Sequence, residues 1–139
     1  MLIGTYKHTV DNKGRLVIPQ RYRNDLGDRF VVTRGLDGCL TLYPMEEWSR
    51  LSAMIKAAPL AESRTMQRFF FAFAEEAEPD SQGRVVLPQT LRELANIRRD
   101  VVVVGVDSHA EVWDSEAWEN ISKAAGDDDV LEALRKSGL

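Results

Sequence analysis

The sequence has no apolar run that approaches the roughly 18 residues of a membrane span. Its first residues lack the basic segment and the long apolar stretch of a secretory signal. Its single cysteine, Cys39, cannot form an internal disulfide, and its alternating surroundings favour a small buried side chain over a reactive thiol. We therefore expect a cytoplasmic protein.

Residues typical of catalytic and cofactor sites are also scarce. The two histidines, His8 and His109, lie far apart in the chain, and Cys39 has no partner at a metal-ligand spacing. The glycines of residues 35–38 suit a hairpin turn rather than a phosphate-binding loop, and no nucleophile motif is present. The sequence predicts no enzymatic activity, no cofactor, no metal site and no small-molecule substrate.

An internal repeat is the strongest feature of the 139 residues. Residues 11–20 (DNKGRLVIPQ) return 69 positions later as residues 80–89 (DSQGRVVLPQ), and further on an offset of 70 aligns Gly35 with Gly105 and Trp48 with Trp118. Two matching segments in the same order indicate a duplication. Because a unit of half this length buries too little surface to be stable alone, we expect the two units to share one core.

Each unit is expected to contain a strand, a tight Asp-x-x-Gly turn, a second strand ended by proline, a short helix, a hairpin and a further helix. The first strand is expected over about residues 2–10 in one unit and about residues 70–78 in the other. The apolar residues expected to face inward from the two short helices are Tyr22, Leu26, Leu91 and Leu94.

This pattern divides the chain into four parts. We call residues 1–58 the first repeat and residues 70–121 the second repeat, joined by a helical connector over residues 59–69. Residues 122–139 form a C-terminal tail, in which the acidic triplet of residues 127–129 could cap a short amphipathic helix.

The charge is unevenly distributed. A net charge of −4 does not suggest a nucleic-acid binder, yet residues 1–35 hold seven basic and three acidic side chains, a net charge of +4. Residues 70–104 carry a net charge of −2. Since a basic surface attracts polyanions, we expect the first repeat to face a nucleic acid.

A resemblance to the MraZ family rests on the doubled Asp-x-x-Gly-Arg unit with its apolar strand and proline, the hairpin of residues 35–40 and the helix start of residues 44–48. It covers about residues 1–121, including both repeats in order. It implies a β-rich α+β fold, a pseudo-twofold swapped-hairpin barrel like that of AbrB-type regulators, with flanking helices. It also implies a bacterial regulator of the division and cell-wall gene cluster, in which ring-shaped homo-oligomers bind direct repeats in the promoter.

The resemblance places the family's Asp-x-x-x-Arg motif on Asp11 with Arg15 and on Asp80 with Arg84. An arginine fork can bond a guanine edge or a phosphate in two places, and a carboxylate four residues earlier could hold it in one orientation. The alternative is that the Asp–Arg pair only stabilises its own hairpin and does not contact DNA. This alternative is favoured more for Arg84 than for Arg15.

Further candidates lie near the first motif. We interpret its basic neighbours as phosphate contacts, which position a protein on DNA without specifying sequence. Two neutral side chains, Thr9 and Asn12, could add hydrogen bonds. The complete set of candidate DNA-binding residues is Arg15, Lys13, Asp11, Lys7, Asn12, Thr9, Arg21, Arg23 and Arg84.

We therefore expect a sequence-specific transcriptional regulator, and a repressor rather than an activator. Its expected location is the nucleoid, and its expected partners are double-stranded DNA and further copies of the same chain. Avidity in the oligomer would supply the affinity that one subunit lacks. Two alternatives stay open. One is an AbrB-like antitoxin that binds a partner protein through its acidic tail, and the other is an oligomeric scaffold without a nucleic-acid role.

Overall fold

The computed structural model describes all residues from 1 to 139 as an α+β fold. The strands are β1 (Leu2–Thr9), β2 (Arg15–Val17), β3 (Phe30–Arg34), β4 (Leu40–Pro44), β5 (Glu75–Ala77), β6 (Arg84–Val86), β7 (Asp100–Asp107) and β8 (Ala110–Asp114). The helices are α1 (Gln20–Leu26), α2 (Met45–Ala57), α3 (Leu60–Phe70), α4 (Gln89–Leu94), α5 (Ser115–Ala124) and α6 (Asp127–Lys136).

The fold contains two antiparallel sheets. Six strands form one sheet in the order β1-β7-β8-β4-β3-β5, and β2 pairs with β6 in a second, two-stranded sheet. The outer strands β1 and β5 are not paired with each other, so the expected closed barrel is not formed by this sheet. The expectation of an α+β fold is confirmed, and the strands that were expected to form a swapped-hairpin barrel are arranged as an open six-stranded sheet beside a two-stranded ribbon.

Strands of the first repeat pair with strands of the second repeat in both sheets. β1 of the first repeat pairs with β7 of the second, and β5 of the second repeat pairs with β3 of the first. We call the β2–β6 pair the central ribbon. In it Leu16 lies opposite Val85, its own counterpart in the repeat. A local pseudo-twofold axis therefore passes through the middle of the ribbon.

The Asp-x-x-Gly turns bring the chain into the central ribbon. Gly14 and Gly83 have φ values of +77° and +76°, a conformation that side chains other than glycine adopt only at a cost. At the other end of each ribbon strand, Pro19 and Pro88 directly precede α1 and α4. Proline suits this place because it lacks the N–H that a continuing strand would donate.

The core lies between the central ribbon and the large sheet. Its main cluster contains 20 buried residues from both repeats, including Leu16, Phe30, Leu87 and Val103. The other face of the large sheet is covered by helices: Trp118 and Ile121 of α5 lie against a smaller buried cluster. Because both repeats contribute residues to one buried cluster, neither repeat is expected to be stable alone.

Three details differ from the sequence-based expectations. The strand expected over residues 70–78 is reduced to Glu75–Ala77, because α3 continues to Phe70. Leu94 is 39% exposed, and the inward position at the end of α4 is taken by Ala95, which is 3% exposed. Gly105 lies opposite Ala110 as Arg34 lies opposite Leu40, so Gly105 corresponds to Arg34 rather than Gly35.

Candidate nucleic-acid interface

The first Asp-x-x-x-Arg motif forms a closed clip. Oδ1 of Asp11 accepts hydrogen bonds from the backbone N–H groups of Lys13 and Arg15, both at 2.9 Å. Its Oδ2 accepts a hydrogen bond from Nε of Arg15 at 2.6 Å. We call Asp11 and Arg15 the first clip. One carboxylate thus shapes the turn and fixes the direction of the guanidinium at the same time.

The second motif repeats this geometry closely. Oδ1 of Asp80 accepts from the backbone N–H groups of Gln82 at 2.8 Å and Arg84 at 2.9 Å, and Oδ2 accepts from Nε of Arg84 at 2.9 Å. We call Asp80 and Arg84 the second clip. The hydrogen bond between carboxylate and arginine is present in both repeats, and it is the contact that an oriented guanidinium and a closed hairpin both require.

Both carboxylates are stabilised in their charged form. The pKa values of Asp11 and Asp80 are lowered, first by the backbone hydrogen bond from the arginine of the same clip and further by its side-chain hydrogen bond and charge. Each carboxylate therefore stays ionised well into the acidic range. The ionised carboxylate under each Nε keeps the guanidinium oriented.

The two clips point to the same side of the central ribbon. Arg15 lies opposite Val86, and Arg84 lies opposite Val17, at the two ends of the three-residue ladder. Because side chains alternate along a strand, these four share one face, while Leu16 and Val85 are buried on the other. Diagonal neighbours in an antiparallel pair are about 7–8 Å apart, so the two arginines form one surface, which we call the clip surface.

The outer nitrogens of both clip arginines make no hydrogen bond within the chain, since each arginine side chain uses only its Nε. The side chains of Arg15 and Arg84 are 30% and 27% exposed. An arginine held at Nε with its terminal fork free is ready to bond an external acceptor in two places. The clip surface can therefore bind a planar pair of acceptors, as on a base edge or a phosphate.

Four further candidates flank the first clip. Asn12 and Lys13 are exposed on its turn. Lys7 and Thr9 are exposed on the outer strand β1, where they line a shallow groove that also includes Ser115, the first residue of α5. Neither lysine forms an ion pair within the chain. Lys7 lies opposite Val102, which packs under α5, so Lys7 and Thr9 lie on the helix-covered face of the large sheet and not on the face that holds the central ribbon.

The other two candidates are engaged within the fold. Nη2 of Arg21 donates a hydrogen bond of 3.2 Å to the carbonyl oxygen of Ile3, at the far end of β1 from the first clip. Arg23 lies against Gly83, where an added Cβ would be 2.9 Å from its Cζ. Arg23 therefore belongs in space to the second clip, although it belongs in sequence to the first repeat.

The sequence-based reasoning missed Arg92, which corresponds to Arg23 in the repeat. Arg92 lies against Gly14, where an added Cβ would be 2.9 Å from its Nη2. The first clip with Lys13 and Arg92 carries a net charge of +2, and the second clip with Arg23 carries +1. The exchange puts an arginine of the other repeat at each clip and leaves the net charge of each site unchanged, because one arginine replaces another.

Three remaining features bear on other kinds of site. Cys39 is 3% exposed, its Sγ donates to the carbonyl oxygen of Leu36, and burial raises the pKa of its thiol to about 12, as suits an unreactive core residue. No three His, Cys, Asp or Glu side chains gather in a way that could hold a metal ion. None of the helices has the length and apolar character needed to cross a membrane.

The fold and the site define a class: an α+β protein of two interleaved repeats that displays paired Asp–Arg clips on one face of a two-stranded ribbon. The sequence model of the MraZ family, described as "MraZ protein, putative antitoxin-like", matches residues 1–69 and again residues 70–134. The chain belongs to the MraZ family.

Curated relatives cover most of the chain. It is 49% identical over 124 residues to the transcriptional regulator MraZ of Thermoanaerobacter pseudethanolicus, covering 88% of this chain and 87% of the relative. It is 48% identical over 129 residues to that of Desulfitobacterium hafniense, covering 91% and 90%. It is 46% identical over 138 residues to that of Heliobacterium modesticaldum, covering 96% of both chains.

Proposed function

We propose that the protein is a sequence-specific DNA-binding transcriptional regulator that acts as a repressor. The names of its relatives support a role in transcription. The observation that carries the proposal is the placement of two oriented arginines, with free terminal nitrogens, on one face of a two-stranded ribbon. The major groove of B-form DNA admits such a ribbon.

In this mechanism the clips read bases and the surrounding lysines hold the backbone. Arg15 and Arg84 each offer their terminal nitrogens to the acceptors of a guanine edge, while Asp11 and Asp80 keep the direction of the guanidinium fixed. Lys13 and Asn12, on the turn of the first clip, are assigned to positioning on phosphate and sugar oxygens, and Lys7 and Thr9 are assigned the same role from the outer strand β1 of the large sheet. Arg23 supports the second clip from within the fold, and Arg21 holds the start of β1 through the carbonyl oxygen of Ile3.

The proposal includes the assembly that the family resemblance implies. The interleaved strands support a pseudo-twofold unit like the AbrB swapped hairpin, with residues 1–58 and 70–121 as its halves, residues 59–69 as their connector and residues 122–139 as a tail. One subunit with a net charge of −4 binds DNA weakly. A ring of subunits sets several clip surfaces along the direct repeats of a division and cell-wall promoter in the nucleoid, and avidity raises the affinity.

The direct test is a mobility-shift titration of Arg15→Ala on the duplex upstream of the protein's own gene. Removing a bidentate arginine is expected to cost about 1–3 kcal/mol of binding free energy. Arg50→Ala is the matched control, since this α2 arginine is exposed and pairs only with Glu47. The control is expected to bind like the wild type. If folded Arg15→Ala binds as tightly as the control, the assignment is wrong.

A second candidate function is an antitoxin that binds a partner protein, which the antitoxin-like description of the family model favours. The candidate contact is the exposed tail helix α6, with three aspartates in its first turn. Expression with neighbouring genes separates the two functions. An antitoxin is expected to co-purify with one stoichiometric partner and to lose it when residues 126–139 are removed, whereas the regulator retains DNA binding without any partner.

A further inference from the structure

An arginine of the second repeat packs against the turn of the first clip. The guanidinium of Arg92 lies against Gly14, the residue that precedes Arg15. Nε of Arg92 donates a 2.9 Å hydrogen bond to the carbonyl oxygen of Leu87, and the N–H of Leu87 donates a 2.8 Å hydrogen bond to the carbonyl oxygen of Gly14. The turn glycine is therefore held by two adjacent groups of the second repeat.

The movement of Gly14 is coupled to both members of the first clip. The N–H of Gly14 donates a 2.9 Å hydrogen bond to the backbone carbonyl oxygen of Asp11, and Gly14 is bonded directly to Arg15. A shift of this glycine would displace the backbone N–H of Arg15 from the carboxylate that accepts it at 2.9 Å. The support by Arg92 consequently reaches the DNA-facing guanidinium through the backbone.

The equivalent support of the second clip is incomplete. Arg23 lies against Gly83, and the N–H of Ile18 donates a 2.9 Å hydrogen bond to the carbonyl oxygen of Gly83. Nε of Arg23, however, is buried and has no hydrogen-bond partner. A buried donor without an acceptor is unfavourable, so Arg23 is held less firmly than Arg92.

We propose that Arg92 is a positioning residue for the first clip, and that this clip is better ordered than the second because the two supports differ by one hydrogen bond. The consequence for DNA rests on the proposed function, but the ordering itself does not. Arg92 acts through Gly14 and has no direct contact with DNA. The two repeats then contribute unequally, with the first clip as the pre-organised one.

Hydrogen exchange followed by mass spectrometry on the full-length protein tests the ordering without DNA. The reporters are backbone N–H groups bonded to the clip carboxylates, those of Lys13 and Arg15 in the first turn and of Gln82 and Arg84 in the second. In the wild type we expect slower exchange in the first turn. Equal or faster exchange in the first turn would overturn the proposal.

Arg92→Ala is expected to speed exchange in the first turn by about tenfold, as the loss of one hydrogen bond and its packing implies, and to leave the second turn unchanged. Arg23→Ala is the matched control, expected to affect only the second turn and by a smaller factor. If Arg92→Ala speeds both turns equally, its role is merely structural and the proposal fails.

If Arg92→Ala does not fold, Arg92→Lys provides a second test, because lysine keeps a donor for the carbonyl oxygen of Leu87. This variant is expected to give an intermediate exchange rate in the first turn. A wild-type rate there would overturn the proposal.

Salt-dependent DNA titration then separates positioning from direct contact. As a positioning residue, Arg92 is expected to change the affinity on substitution but to leave the slope of log K against log salt unchanged, because no phosphate contact is removed. A slope reduced by about one would make Arg92 a phosphate contact and overturn its assignment. If the wild type binds no DNA while the exchange results are as expected, the proposed function fails and the positioning role stands.

Discussion

At the scale of single residues, each clip depends on one carboxylate that has three hydrogen-bond donors around it. Asp11 accepts from two backbone N–H groups and from Nε of Arg15, and Asp80 does the same in the second repeat. The family resemblance drew attention to the Asp-x-x-x-Arg motif, and its position across a tight turn made a contact between the two side chains plausible from the sequence. It could not predict Arg92, because the contact with Gly14 joins distant parts of the chain and leaves no local pattern.

The pH dependence of stability follows from the lowered pKa of Asp11. The folded state binds the proton less readily than the unfolded state, so the stabilisation is present above the ordinary value of 3.8 and is lost as the pH falls through the lower folded pKa. Asp11→Asn is therefore expected to be less stable than the wild type at neutral pH, with the difference shrinking below about pH 4. Urea unfolding across a pH series measures this.

Asp28→Asn is the control, since Asp28 is exposed and forms no ion pair or side-chain hydrogen bond. Its stability is expected to follow that of the wild type at every pH. A constant difference between Asp11→Asn and the wild type down to the most acidic point would contradict the lowered pKa.

At the scale of secondary structure, the order of elements could be predicted where turn residues and apolar runs coincide. The strand before the second clip could not, because the aromatic residues 69–73 suit a strand locally but α3 continues through Phe70. Leu94 was expected inside because it is apolar, yet the helix geometry gives that place to Ala95. The hairpin of the second repeat is one residue shorter, which shifts Gly105 away from Gly35.

The central ribbon is expected to depend on its buried face. Leu16 is fully buried at the pseudo-twofold axis. Leu16→Ala removes side-chain volume from a closed core and is expected to lower the free energy of unfolding by about 2–5 kcal/mol. Val86→Ala, on the exposed face of the same ribbon, is expected to change it by less than about 0.5 kcal/mol. Denaturant unfolding measures the free energy of unfolding of both variants. Similar decreases in both would contradict a ribbon with one buried face and one exposed face.

At the scale of the whole molecule, the two repeats cannot be treated as separate charged halves. The sequence assigns Arg23 to a basic first repeat, but its guanidinium lies at the second clip, and Arg92 lies at the first. Counts of charge along the chain therefore assign each of these arginines to the wrong clip, although the net charge at each clip is unchanged by the exchange. At the first clip the turn carries Lys13, which is exposed and forms no ion pair, beside the half-buried Arg15, whose only ion pair is the clip itself.

The tail is expected to be dispensable for the stability of the body. Every residue from 122 to 139 is exposed, and α6 buries none of its side chains. A chain that ends at Ala125 is therefore expected to unfold within about 0.5 kcal/mol of the full-length protein. Denaturant titration at matched subunit concentration checks this, and a larger loss would mean that α6 is docked in the assembly.

The central claim is that DNA lies against the clip face of the central ribbon, and photo-crosslinking from a single introduced thiol tests it most directly. Val86 is 59% exposed on that face, Met54 is 66% exposed on α2, and Cys39 is buried with a thiol pKa raised to about 12, so it stays unlabelled. With a crosslinker on Val86→Cys or on Met54→Cys, we expect promoter DNA to be captured from position 86 alone. Capture from position 54 with none from position 86 would contradict the account.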